Sequence, residues 1–333
     1  MGKSISLAKA MDPRAGLNLR KLSLQVPDDQ QASLEEALHC FSHQAMATVF
    51  EIFCAHPDPE YARQAARASF GLADRLEQEL SRFIENSDIS RINNLAAGET
   101  VRVSRWTMEC LLLAQIAHAE TGGAFDISLG TGLQRLELLP RDFLVRAGTD
   151  GIRLDLGGIG KGYALDRMAE VLVDWDIHQV ILHAGYSSVL AMNPPSGWEG
   201  WPLTMTVPDE VQGESFNLLH ARQRVLSASG LRKGDHIRNP REGQAAPLRL
   251  ATWVAADIDA LVPFCRRAGI LGASDTPVSD WPAAVAEVFS TAFMILGRGE
   301  IEDCCRRVPG LEAWLIEQGQ EDENGKQSVS HVP

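Results

Sequence analysis

The sequence lacks several features that would place it in a specialised class. Its six cysteines show no Cys-x-x-Cys spacing and no clustered histidines, which argues against a zinc site or a disulfide framework. No apolar run approaches the length of a membrane span, and the first residues show no secretory signal pattern. We therefore expect reduced, mostly buried thiols, no membrane span and a cytoplasmic location.

Positive charge is scarce as well. The chain has 31 Lys and Arg against 44 Asp and Glu, giving a formal net charge of −13. Nucleic acids and anionic membranes would be repelled by such a protein, so we expect neither as a partner. A small anionic ligand can still bind where positive charge is concentrated. With 333 residues and 45% hydrophobic residues, the chain is long enough to bury a full core.

Glycine, in contrast, is concentrated in one segment. Residues 155–166 read Asp-Leu-Gly-Gly-Ile-Gly-Lys-Gly-Tyr-Ala-Leu-Asp and lead into a segment with helical periodicity. Backbone N–H groups of glycines at a helix N-terminus can hold phosphate, and Lys161 adds a full positive charge. The segment fits neither a Walker A motif nor a Gly-x-Gly-x-x-Gly fingerprint. A phosphate-binding turn and a simple strand-to-helix turn are both open at this point.

Two loops add further polar groups. Residues 122–126 form a flexible turn that ends in Asp126, and on pattern alone a helix stop with a capping Asp is the favoured interpretation. Residues 229–240 bring His236 together with three cationic side chains, including Arg238. That loop is either a solvated basic turn or a site for an anionic ligand.

A third constellation lies in a predicted apolar helix. Glu287 and Thr291 are four residues apart and therefore project from one helix face. Oxygen ligands of this kind suit Mg²⁺. The alternative is a glutamate that interacts with the helix dipole and a threonine that bonds its own helix.

The periodicity predicts an α+β or mixed α/β protein, because the strands do not alternate regularly with helices. Helices are predicted over 59–83, 105–120, 161–175, 257–268 and 282–296. Strands are predicted over 48–54, 151–156, 179–184, 201–207, 217–219, 223–228 and 249–256. We expect a poorly ordered arm over 1–40, one domain over 41–316 and a disordered tail over 317–333.

Taken together and in this order, the segments resemble the ApbE family, the FAD:protein FMN transferases, from about Met46 to Gly297. The matching blocks are Met46-Ala47-Thr48, Ser81-Arg82-Phe83, 87–93, 123–126, 157–166, Ser229-Gly230, 236–240 and Ser290-Thr291-Ala292. The resemblance implies an ApbE-like α+β fold with mixed, largely antiparallel sheets packed with helices. It also implies a site for FAD and a metal in a central cleft.

The resemblance further implies a function. Enzymes of this family bind FAD with Mg²⁺ and transfer FMN to a threonine hydroxyl of an acceptor protein, releasing AMP. Carried over by motif, the residues implied to contact the flavin nucleotide are Met46, Phe83, Ala124, Phe125, Asp126, Gly157, Tyr163 and Arg238. The implied metal ligands are the Gly160 carbonyl and the side chains of Glu287, Ser290 and Thr291. Lys161 and His236 are implied to steady the phosphates and the developing charge.

The chain departs from the family pattern in its chemical core. Glu287 replaces the family's metal aspartate, Tyr186 and Ser187 replace Gly-Asp, and Asn239 replaces another aspartate. Ala47 stands where the family has glycine. Three functions therefore stay open: protein flavinylation, hydrolysis of FAD without an acceptor, and FAD binding without catalysis. The sequence leaves the oligomeric state open.

Overall fold

A computed structural model of the protein describes residues 37–185, 187–206, 215–230, 239–241, 249–267, 281–321 and 327–333. Its strands are β1 Leu38–Ala45, β2 Thr48–Ala55, β3 Thr100–Arg102, β4 Leu136–Leu139, β5 Leu144–Ala147, β6 Val180–Ala184, β7 Ser188–Ala191, β8 Trp201–Thr206, β9 Ser215–Ala221, β10 Arg224–Gly230, β11 Arg249–Asp257, β12 Leu311–Glu321 and β13 Gln327–Val332. Its helices are α1 Pro59–Leu80, α2 Asp88–Asn93, α3 Arg105–Glu120, α4 Gly160–Asp174, α5 Ile258–Arg267, α6 Pro282–Phe293 and α7 Arg298–Arg307.

The main sheet has eight strands in the order β1-β2-β6-β7-β10-β11-β12-β13, and each neighbouring pair is antiparallel. A three-stranded sheet in the order β3-β5-β4 and a β8–β9 pair accompany it. The predicted α+β architecture with largely antiparallel sheets is confirmed.

The side-chain alternation of the central strands buries both faces of the main sheet. In β6, Val180 and Leu182 point to the larger core shared with the helices. Ile181 points to a second core beneath the β8–β9 pair, where Trp201 is fully buried. The second core also includes Trp253 and Trp314. A strand places successive side chains on opposite sides, so the consecutive apolar residues of β6 contribute to both cores.

Local signals place the two longest helices where the sequence predicts them. Helix α1 begins after Asp58, whose carboxylate accepts the Glu60 and Tyr61 N–H groups. Helix α3 begins after Ser104, whose hydroxyl accepts the Thr107 N–H. These are ordinary N-caps that satisfy donors at the first turn.

Helix α6 is capped by a residue from a different helix. Its own N-cap position, Trp281, has a left-handed backbone and makes no side-chain cap. The two Asp166 carboxylate oxygens, from α4, instead accept the N–H groups of Ala283 and Ala284, each at 2.9 Å. This contact fixes the start of α6 against α4.

The same two helices meet without an intervening side chain at Gly162. A Cβ added there would lie 2.4 Å from the Ala283 carbonyl oxygen and 2.7 Å from the Ala284 Cα. Only glycine allows this approach, which brings the glycine turn of α4 against α6.

Three predictions about element limits are wrong. The arm predicted to be poorly ordered over 1–40 includes the start of β1 at Leu38, and its residues 1–36 lie outside the described residues. Residues 151–156 form no strand, because side chains hold this extended segment: Asn93 Oδ1 accepts the Leu154 N–H at 2.6 Å. The tail predicted to be disordered over 317–333 contains the end of β12 and all of β13. Its apolar content is low, but Trp314 stacks on His331 and Val332 is buried, so β13 is held at the edge of the sheet.

Within the described part of the chain, no helix is both long and apolar enough to cross a bilayer.

Replacing Asp166 by alanine should destabilise the fold. Two buried N–H groups would lose their acceptor, at a cost of about 2–4 kcal/mol in the free energy of unfolding. Urea denaturation measures this, and Asp166→Asn should lose less because it keeps one acceptor oxygen. Asp174→Ala, an exposed position of the same helix, is the control and should change the free energy by less than about 0.5 kcal/mol. Equal effects of the two alanine variants would contradict the capping role.

Gly162 offers a second test, with Gly71 of α1 as its matched control. Gly162→Ala forces the two backbones apart and should destabilise by about 1–3 kcal/mol. A Cβ on Gly71 meets nothing within 4 Å, so Gly71→Ala should stabilise by about 0.5–1 kcal/mol through helix propensity. Thermal and urea unfolding of both variants give the sign of each effect, and stabilisation by Gly162→Ala would refute the close approach.

Candidate active site

The glycine turn leads directly into α4. Gly157 and Gly158 follow Leu156, and the helix begins at Gly160. The Gly157 N–H donates to Asp155 Oδ1 at 2.9 Å, and the Gly160 N–H donates to the Leu156 carbonyl at 2.8 Å. The turn therefore has a defined shape, and it leads into the N-terminus of a 15-residue helix, the end of a helix that favours anions.

Two predicted site residues lie against this turn. A Cβ on Gly158 would be 3.2 Å from the Phe125 ring and 3.4 Å from Thr291 Oγ1. Glycine thus lets the 122–126 loop, the α4 N-terminus and α6 meet at one place. Phe125 and Ala124 are both buried there.

Helix α6 presents its polar residues to the glycine turn. Glu287, Ser290 and Thr291 occupy positions i, i+3 and i+4, so they share one face. The Ser290 and Thr291 hydroxyls donate to the Glu287 carbonyl at 2.9 and 3.0 Å. The helix-bonding alternative for Thr291 is therefore confirmed, although a hydroxyl that donates keeps lone pairs for a cation.

The Glu287 carboxylate bridges α6 to α4. Its Oε2 accepts the Gly162 N–H at 2.6 Å, and its Oε1 contacts Lys161 Nζ in an ion pair. The side chain of Glu287 is only 4% exposed and that of Lys161 19%. A charge removed from water to this degree requires compensation, which the ammonium and the N–H group supply.

Strand β10 adds two hydroxyls that sequence analysis did not assign to the site. Ser227 Oγ and Ser229 Oγ lie 3.2 and 3.0 Å from Ser290 Oγ, and Ser229 Oγ lies 3.3 Å from Thr291 Oγ1. The Ser229-Gly230 block resembles the family sequence and so pointed to one of these serines. The hydroxyl cluster itself becomes visible only where the main sheet packs against α6.

Phe83 and Met46 lie in two surrounding loops. Phe83 is 81% exposed, and the Arg82 guanidinium lies 4.4 Å from its ring centroid. Arg82 also pairs with Asp155 at 2.9 Å, which connects this loop to the glycine turn. Met46 lies in the β1–β2 turn and packs against the main core.

The same β1–β2 turn explains one departure from the family pattern. Met46 and Ala47 have φ values of 50° and 55°, which is left-handed backbone where glycine is favoured. Ala47 therefore occupies a position whose geometry suits the family's glycine.

Asp126 and Tyr163 have structural partners. The Asp126 carboxylate accepts the Ser128 N–H and hydroxyl and the Gly130 N–H, at 2.7–2.9 Å. Helix α3 thus ends before this loop, and Asp126 caps the turn that follows it, 127–130. Tyr163 is fully buried and donates to Glu109 at 2.5 Å, and burial raises the pKa of its hydroxyl well above the usual value. Its ring offers no exposed surface here, and the flavin contacts of both residues stay predictions.

His236, Arg238 and Tyr186 lie outside the described residues. The described residues that follow, Asn239–Arg241, lie against the 122–130 loop. Arg241 Nε donates to the Gly122 carbonyl at 2.9 Å, and Asn239 Oδ1 accepts the Arg241 N–H at 3.0 Å.

The donor set fits a hard cation. Glu287 supplies a carboxylate, Ser290 and Thr291 supply hydroxyls, and Gly160 supplies a carbonyl, all of them oxygen ligands that Mg²⁺ accepts. Among the described residues, no three His, Cys, Asp or Glu side chains cluster as a metal site. Charge compensation for a cation would therefore rest on Glu287 and on the phosphates of a substrate.

Asp166 is another residue whose part in the site sequence reasoning missed. It lies one helical turn after Gly162 on the same face of α4, so the glycine block itself contained the signal. Its role as the cap of α6 depends on tertiary packing and positions the α6 side chains described above.

The fold is similar to those of several solved structures. The fold is similar to that of the Pseudomonas stutzeri flavinyl transferase ApbE in its apo form, with 19% identity, a TM-score of 0.69, and 89% of this chain and 94% of that chain covered. The flavin transferase ApbE from Vibrio cholerae has 17% identity and a TM-score of 0.69, with 88% of this chain and 97% of that chain covered. The ApbE protein from Thermotoga maritima has 19% identity and a TM-score of 0.70, with 89% of this chain and 97% of that chain covered.

Identities this low establish the fold alone. No protein among those with curated descriptions matches the sequence. The sequence model of the ApbE family, however, matches residues 46–261, more than half of the chain. The chain therefore belongs to the ApbE family, as a divergent member.

Proposed function

We propose that this protein transfers FMN from FAD to a threonine hydroxyl of an acceptor protein, with Mg²⁺, and releases AMP. The observation that carries the proposal is the meeting of the glycine turn with Glu287 and Thr291 of α6, with Ser290 next to Thr291 on the same helix. A cationic helix N-terminus and a set of oxygen ligands at one place suit a pyrophosphate and its counter-ion. Family membership makes FAD the expected substrate.

The chain's own residues supply binding and charge neutralisation. The positive end of the α4 dipole and the Lys161 ammonium favour the negative charge that develops as the pyrophosphate is cleaved, while the Gly160 and Gly162 N–H groups stay bonded to Leu156 and Glu287. His236 and Arg238 are proposed to contribute further positive charge. Phe83, exposed beside Arg82, is a platform on which a flavin ring can stack.

The transfer is a phosphoryl-type displacement. The threonine oxygen bonds to the FMN phosphorus while the bond from that phosphorus to the bridging oxygen breaks, and AMP leaves with the bridging oxygen. The threonine proton is released to solvent, so the products are the phosphate ester, AMP and one proton. A bound Mg²⁺, held by the Gly160 carbonyl, Glu287, Ser290 and Thr291, would neutralise phosphate charge. In such reactions, positioning and electrostatics provide most of the rate enhancement.

A second candidate function is FAD binding without transfer. It is favoured by two positions where the family has aspartate. Ser187 Oγ lies 3.4 Å from the Ala184 carbonyl, and Asn239 accepts a backbone N–H within its own turn. Neither side chain provides the negative charge of the family residue, whereas Lys161 keeps its positive charge.

One assay separates the candidates. Purified protein is incubated with FAD and Mg²⁺, with and without total protein from its host as the acceptor source. Transfer gives AMP together with protein bands that keep flavin fluorescence after denaturation. AMP without labelled protein indicates hydrolysis, and FAD binding without AMP indicates the second candidate. Calorimetry that detects no FAD binding at any Mg²⁺ concentration would overturn both.

Glu287→Gln should lower the rate of AMP release by about 100-fold or more, because the metal loses its charged ligand. Glutamine keeps the shape and an acceptor for the Gly162 N–H, so circular dichroism should change little, and thermal unfolding measures what the lost ion pair with Lys161 contributes. Glu302→Gln is the control, since this exposed residue pairs with Arg298 on α7 and is expected to leave the rate unchanged. A Glu287→Gln enzyme with normal Mg²⁺-dependent activity would remove Glu287 from the site.

A further inference from the structure

The ion pair between Lys161 and Glu287 occupies the carboxylate that is the one charged group among the candidate metal ligands. Lys161 Nζ contacts Glu287 Oε1 and lies 3.4 Å from the Gly157 carbonyl. Glu287 also accepts the Gly162 N–H through its other oxygen. The carboxylate is therefore already satisfied by the chain itself.

A divalent cation that binds Glu287 competes with this ammonium. The two cations would share one carboxylate in a site with little water, where their repulsion is strong. Among the described residues, no group of three His, Cys, Asp or Glu side chains is placed to hold a metal ion, so Glu287 is not backed by such a cluster. A divalent cation therefore binds Glu287 only when the Lys161 ammonium moves away from the carboxylate.

The Lys161 side chain is able to move away from Glu287. It carries its charge on a flexible four-carbon stem, and 19% of the side chain is exposed, so Nζ can reach solvent or a ligand without unfolding α4. Glu287 can stay in place when Lys161 moves. Its Oε2 stays bound to the Gly162 N–H, and its helix is fixed by the Asp166 cap.

We propose that Lys161 is an internal counter-ion that exchanges partners. It neutralises Glu287 when no divalent cation is bound, and it is displaced toward the phosphates of the nucleotide when the metal binds. This inference rests on the proposed function for the identity of the nucleotide. The exchange couples the two ligands: phosphates that accept the ammonium make metal binding easier, and by linkage the metal tightens nucleotide binding by the same factor.

The test measures Mg²⁺ binding alone, without FAD, by isothermal titration calorimetry. Lys161→Met keeps the length of the side chain but removes the competing charge. It should bind Mg²⁺ roughly tenfold or more tightly than the unmodified protein, because no ion pair has to be broken. Arg82→Met is the matched control: it also removes one positive charge near the glycine turn, but Arg82 pairs with Asp155 and not with Glu287. Its Mg²⁺ affinity should stay within about twofold of the unmodified protein.

A second titration measures the coupling. Mg²⁺ should strengthen FAD binding in the unmodified protein, and this enhancement should shrink in Lys161→Met, where no ammonium is released to the phosphates. If Lys161→Met does not fold, Lys161→Gln replaces it in both titrations.

Three outcomes would overturn the inference: equal or weaker Mg²⁺ binding by Lys161→Met, the same gain in Arg82→Met, or no Mg²⁺ binding by any variant. None of these readouts depends on AMP release. Failure of the proposed enzymatic activity is therefore distinguishable from failure of the partner exchange.

Discussion

The contact between α4 and α6 is the constraint on which the site depends. Gly162 has no side chain, so the two backbones approach closely, and the Asp166 carboxylate replaces the missing N-cap of α6. Once this contact is made, Glu287 necessarily faces the glycine turn, and its carboxylate can bond to the Gly162 N–H. The same residue types at the same spacing would make no site if α6 were rotated by a quarter turn or shifted along its axis.

The main sheet provides the second support. Strand β10 lies in the middle of the eight-stranded sheet and directs Ser227 and Ser229 toward the hydroxyl of Ser290. A central strand is held by hydrogen bonds on both edges, so its side chains have little freedom to shift. The site is therefore built between a rigid sheet and two helices whose contact is fixed, which is the arrangement that preorganised phosphoryl chemistry requires. The more exposed part is the loop with Phe83, where the protein meets solvent.

The structure shows the backbone conformation or the contacts of three residues that depart from the family pattern. Ala47 adopts left-handed backbone in a tight turn, Asn239 caps its own turn, and Glu287 reaches the Lys161 ammonium. The extra methylene of Glu287 relative to aspartate adds reach to the side chain that spans from α6 to α4. The substitutions at 239 and 287 therefore concern the charge and reach of side chains near the proposed phosphate site, whereas the one at 47 concerns backbone conformation.

The sequence by itself determined the local features. The limits of α3, the helix that starts at the glycine turn, the α+β class and the shared face of Glu287 and Thr291 follow from periodicity, caps and breakers, which act over a few residues. Only the tertiary structure decided what depends on distant partners. The extended segment at 151–156 is held by Asn93, β13 is held by its pairing with β12, and Asp166 caps a helix more than a hundred residues away. No local pattern encodes such contacts, because hydrogen-bond partners and close backbone approach are fixed only when separate elements pack together.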